Sequence, residues 1–241
     1  MPPRKHHGFT LVELLIALSV MALMAVLSWR GLDGMARAQI QTQQRADEVL
    51  SLQTALAQWG ADLDAMAQGP GLNAIDWDGR ALRITRQVSA AQADGLVVVA
   101  WTRRDIGGTG GSGPWLRWQS PPLRERSTLQ TAWLQAAQWA QNPGDEAKKR
   151  EVFIAPLAQW QIYFYRGDAW SNPLSSDGRL AASTSATSSI AATATQAANT
   201  GTSATVAPDG IRLVLTLPTT HALHGALTRD WVRPTLSGGK S

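Results

Sequence analysis

The stretch Gly8-Phe9-Thr10-Leu11-Val12-Glu13, continued by an apolar run from Leu14 to Trp29, constrains this chain more than any other part of it. Phe9 to Trp29 is about 21 residues with one charge, and at about 1.5 Å per residue a helix of that length covers roughly 32 Å, the thickness of a bilayer hydrocarbon core. The segment can cross or anchor in a membrane. Glu13 is the exception, because an ionisable group inside an apolar helix costs on the order of 2.5–3.5 kcal/mol at the bilayer centre and less toward an end. Such a residue calls for a partner and a function. The rival reading is an ordinary secretory signal, with Arg4 and Lys5 as its charged region and Ala36-Arg37-Ala38 as a small-x-small cleavage site. Against it, the apolar run is longer than a signal core, contains Glu13, and is separated from Ala36 by Arg30 and Asp33. Arg4 and Lys5 favour a cytoplasmic leader, an asymmetry that Arg30 and Arg37 weaken.

These residues resemble the prepilins of type IV pili and type II secretion systems. In that family a short basic leader ends in Gly, a dedicated inner-membrane peptidase cuts after it, the new N-terminal Phe is methylated, and a Glu stands at the fifth mature position. The resemblance implies a leader over residues 1–8 ending at Gly8, a methylated N-terminus at Phe9, and an assembly role for Glu13, whose carboxylate would pair with the Phe9 amine of an adjacent subunit. It covers only the first thirty or so residues.

The chain has 241 residues, 44% of them hydrophobic, enough to bury one good core outside the membrane segment. There is no cysteine, which excludes disulfides, thiol chemistry and Cys-zinc sites. The formal charge is +4, but two of the 22 basic residues lie in the leader and the rest are scattered, so nucleic acid is not an expected partner.

After Trp29 the pattern predicts a polar continuation of the helix over 30–68, stopped by Gly69-Pro70-Gly71. Val49, Leu52, Leu56, Trp59, Leu63 and Met66 recur at spacings of 3 and 4, an apolar stripe that lies on the chain's own domain. The same register backward gives Ala46, Thr42, Gln39, Met35 and Leu32, a fainter stripe and the better candidate for packing against neighbouring subunits. Beyond Gly71 the period changes to 2, giving a head over 72–236. Strands are expected at Ala81 to Thr85, at Leu96 to Trp101 as a central strand, and at Pro114 to Trp118 after a glycine-rich hairpin connection over 107–113. A short helix is expected from Leu129 to Ala140, a half-buried strand from Leu157 to Tyr165, and further strands over Gly210 to Leu217 and Leu227 to Val232. Residues 181–207, almost entirely Ala, Ser and Thr, read as a disordered surface insertion, and Ser237 to Ser241 as a loose tail.

The expected fold is therefore α+β, a long N-terminal helix on a mainly antiparallel head of about six or seven strands, which is also what the resemblance implies. Several stretches look like one of the minor pseudopilins of type II secretion: Trp29 to Asp33 at the membrane exit and, in the head, Trp115 to Leu123, Trp160 to Trp170, and Gly225 to Trp231. That resemblance implies a non-enzymatic assembly subunit at the tip of a periplasmic pseudopilus, anchored once in the bacterial inner membrane. Its expected partners are the I-type and K-type minor pseudopilins and the prepilin peptidase. A minor pilin of a type IV pilus is the near alternative.

A membrane-anchored periplasmic enzyme or carbohydrate-binding module is the alternative of a different class, and little in the sequence speaks for it. His221 and His224 have an i, i+3 spacing but no neighbouring carboxylate, so a solvated loop is expected rather than a metal site. Asp62 and Asp64, and Asp76 and Asp78, lack calcium-loop spacing and read as turn and surface residues. No nucleophile signature is visible and no cofactor is expected. The eleven Trp fall mostly in the strand pattern, where core packing is expected.

Overall fold

The computed structural model describes residues 9–69, 71–88, 95–105, 111–175 and 207–234. The leader with Gly8, most of the 107–113 connection, the 181–207 insertion apart from Ala207, and the 237–241 tail lie outside the described residues. Two compact units divide the chain after Asp47.

Helix α1 runs from Leu11 to Asp64, rich in Leu, Ala and Met and free of proline. Up to Asp47 its side chains are exposed. In the second unit, Leu52, Ala55, Trp59 and Leu63 of the same helix are buried in the head's main core. The helix stops at Asp64, a turn short of the expected end, because the chain switches to strand pairing. The Ala67 amide donates to the Thr85 carbonyl and the Gln87 amide to the Ala65 carbonyl, so Met66 forms a bridge with Arg86 instead of a last helical turn.

Among the described residues nine strands follow, all antiparallel, in two sheets. The first is a meander of β1 (Ile75–Trp77), β2 (Ala81–Val88), β3 (Gly95–Arg103), β4 (Gly113–Gln119) and β5 (Glu151–Leu157), paired in that order. Two helices, α2 (Arg126–Gln141) and the short α3 (Asp145–Lys148), stand between β4 and β5 in sequence. The second sheet comprises β6 (Gln159–Arg166), β7 (Ala169–Ser171), β8 (Gly210–Leu217) and β9 (Gly225–Val232), in the order β7-β6-β8-β9.

The fold is α+β, with layers that account for the sequence pattern. Strand β3 is apolar on both faces because each face is covered. Val97, Val99 and Trp101 join the core shared with α1 and the second sheet, while Val98 and Ala100 pack with Leu129, Trp133, Ala136 and Trp139 of α2. In β8, Ile211, Leu213, Leu215 and Leu217 face the main core. At Gly113 an added Cβ would lie 2.1 Å from the Arg104 carbonyl oxygen, so only glycine admits the β3 and β4 backbones this close.

The expected single strand from Leu157 to Tyr165 is two strands. Leu157 ends β5 in the first sheet and Gln159 begins β6 in the second, with a bend at Ala158, whose amide donates to the Thr216 carbonyl. The reason is one of phase. Trp160, Ile162 and Phe164 share the β6 core face, and Leu157, three residues before Trp160, can reach the same core only if the chain turns between them.

Candidate functional site

At the start of α1, Thr10 is the residue before the first helical one and Glu13 the third residue of the first turn. One Glu13 carboxylate oxygen accepts the Thr10 amide at 3.0 Å and the Thr10 hydroxyl at 2.9 Å, while the Glu13 amide donates back to the Thr10 hydroxyl oxygen at 3.3 Å. This is a capping box, two otherwise unpaired donors satisfied reciprocally, with the carboxylate at the positive end of the helix dipole. The sequence reading missed Thr10, although Thr-x-x-Glu ahead of an apolar run is its ordinary signal. Phe9 beside it is 89% exposed, and the large apolar side chains from Leu11 to Trp29 all face outward. Among the described residues, α1 is the helix long and apolar enough to cross a membrane, with a mean hydropathy of 2.4 in its most apolar window.

Residues 3–29 match the prokaryotic N-terminal methylation motif. The match spans the basic residues Arg4 and Lys5, Gly8, Phe9, the capping pair Thr10 and Glu13, and the apolar run as far as Trp29. Among curated proteins none matches the chain. In structure, the chain is similar to a chain of the GspK-GspI-GspJ complex of the type 2 secretion system from enterotoxigenic Escherichia coli. That likeness has 15% sequence identity and a TM-score of 0.43, and covers 78% of this chain and 99% of the other.

Beyond the motif, the helical stripe falls into two parts. Leu32 and Met35 are 65% and 72% exposed, and Ala46, Thr42 and Gln39 of the same register are exposed too. In the head unit, Val49 is half-buried, Leu56 packs on the edge of the core, and Leu52, Trp59, Leu63 and Met66 are inside it.

The stripe also carries a charge that the sequence reading misplaced. Asp62 is not a surface residue: it is fully buried. Arg117 grips its carboxylate with a two-pronged fork at 2.8 Å per contact, and Arg86 donates at 2.7 Å, the Trp101 indole N–H at 3.0 Å and Gln58 at 2.9 Å. Five hydrogen bonds from β2, β3, β4 and α1 itself compensate the desolvation of the charge. Asp64, two residues on, is exposed and accepts the Trp231 indole N–H at 2.7 Å. A second such lock ties α2 to β5, where Glu151 accepts from Arg104 at 2.9 Å and from the Trp139 indole at 2.7 Å. Burial alone would raise the Glu151 pKa, but the hydrogen bonds and charge of Arg104, with the Trp139 bond, outweigh it and hold the carboxyl below its usual range.

His221 is another correction, since it is 6% exposed and not solvated. Its Nδ1 lies 3.2 Å from the Leu223 amide and 4.0 Å from a Glu48 carboxylate oxygen, which itself accepts the Ala222 amide at 2.8 Å. His224 is exposed. Among the described residues no group of three His, Cys, Asp or Glu side chains is placed to hold a metal ion.

Proposed function

We propose that this chain is a minor pseudopilin of the type II secretion system, of the J type, and acts as an assembly subunit rather than an enzyme. The observation that carries the reading is the methylation motif running without interruption into one apolar helix with Glu13 in its first turn. On this reading a prepilin peptidase cuts after Gly8, the Phe9 amine is methylated, and α1 holds the subunit in the inner membrane with its head in the periplasm. Glu13 then exchanges its bonds to Thr10 for the Phe9 amine of an adjacent subunit. The stretches Trp29 to Asp33, Trp115 to Leu123, Trp160 to Trp170 and Gly225 to Trp231 favour secretion over a type IV pilus. The subunit stands at or near the tip of the pseudopilus with I-type and K-type minor pseudopilins, because a bulky head is easier to place once, at an end, than hundreds of times along a shaft. The presence of Glu13 argues against the K type, which characteristically lacks it.

Mass determination of the mature N-terminus tests the reading directly. A start at methylated Phe9 is expected, and a start at Gln39 would establish the secretory-signal alternative. Glu13→Leu is expected to leave insertion and cleavage intact and to impair incorporation into the assembly.

A further inference from the structure

Where the β1–β2 turn, the end of β3, the end of α2 and the start of β6 converge, the head opens a cleft of about 450 Å³. That volume lies in the range of sites that receive a ligand or a few residues of peptide. Three guanidinium groups line it, those of Arg80, Arg103 and Arg104. Two are held in place. Arg103 donates to the Leu157 carbonyl at 3.0 Å, to the Gly111 carbonyl and to Asp105, and Arg104 is fixed by Glu151 and the Trp139 carbonyl. Arg80 differs. Its main chain is bonded, the amide to Asp78 and the carbonyl from the Thr102 hydroxyl, and its exposed side chain has no acid partner among the described residues.

The charge count leaves one cation over. Among the described residues Asp105 is the only acid lining the cleft and is taken by Arg103, while Glu151 behind it is taken by Arg104, so no described acid compensates the Arg80 charge. The carboxamides of Gln159 and Gln161 on β6 add donors at the same mouth, Gln161 having its oxygen occupied by the Tyr163 hydroxyl. Trp160 is half-buried and presses edge-on against Trp77, with ring centroids 4.8 Å apart, so it walls the cleft and does not offer a free platform for a sugar ring. A donor-rich concavity with one guanidinium group left over beside two that are paired suits a carboxylate-bearing ligand, which Arg80 can meet with charge-assisted hydrogen bonds.

We propose that this cleft receives the carboxylates of an acidic peptide segment on a partner polypeptide. The choice of a polypeptide rests on the reading of the chain as an assembly subunit; the choice of an anion rests on the cleft alone.

The test uses the full chain in neutral detergent micelles and a fluorescent acetylated hexaglutamate peptide, followed by anisotropy. Saturable binding that weakens as salt rises is expected, and Arg80→Glu is expected to reduce affinity by roughly tenfold or more, the loss of a charge-assisted contact. Arg229→Glu, the same charge change on exposed β9, should leave it unchanged. The proposal is overturned by an absence of saturable binding at millimolar peptide, or by equal losses in the two variants, which would mark bulk attraction. Binding of cellohexaose in place of the peptide, abolished by Trp160→Ala, would overturn it in favour of a glycan. N-terminal mass on the same preparation separates the two readings: a chain that starts at methylated Phe9 but ignores the peptide removes this inference alone.

Discussion

Asp62 shows how much one side chain can decide. A carboxylate at full burial is stable only because five donors converge on it, and four of these come from two arginines and an indole on separate strands. Replacing it with alanine strands Arg86 and Arg117 beside the core without a counter-charge. Asp62→Ala is therefore expected to destabilise the head by about 3–5 kcal/mol, read as a lower urea midpoint of tryptophan fluorescence, while Asp62→Asn, which keeps an acceptor but not the charge, should fall between. No local pattern announced this residue. Apart from Gln58 on the same helix, its partners lie 24, 39 and 55 positions away, and until β2, β3 and β4 pair, Asp62 looks like any acid near a helix end. Glu13 is the opposite case, since its partner Thr10 is three residues away and the Thr-x-x-Glu spacing carries the capping box, although the sequence reading passed over it.

At the level of elements, whatever depends on period was legible and whatever depends on a change of sheet was not. Strands β2, β3, β4 and β8 and helix α2 stood out because their apolar residues repeat every two or every three to four positions over a full element. Strand β1 has three residues, too few to establish a period, and β5 presents Val152 and Phe153 outward, so its pattern runs against burial. The bend at Ala158 left one mark, the phase slip between Leu157 and Trp160. Helix α1 also carries a correctable weakness. Gly60 lies in its interior, and an added Cβ would meet nothing within 4 Å. Gly60→Ala is expected to stabilise the head by roughly 0.5–1 kcal/mol, seen as a higher melting temperature with an unchanged far-ultraviolet dichroism spectrum.

For the whole molecule, one helix serves two solvents. As far as Asp47 its side chains are open, and from Leu52 onward its apolar residues are consumed by the head. On the proposed reading, Leu32 and Met35 become buried only when subunits meet, each contributing roughly 1.5–3 kcal/mol. Leu32→Asp and Met35→Asp should then weaken co-purification with other minor pseudopilins while leaving the urea midpoint of the head unchanged; retained co-purification would reject that surface. The grip on Asp62 has a mechanical side as well. Tension drawn along α1 reaches the head at a point bonded at once to β2, β3 and β4, so the load is divided among three neighbouring strands and the bonds must yield together instead of one after another. On the proposed reading, a helix fastened in this way can be pulled without being peeled from its sheet.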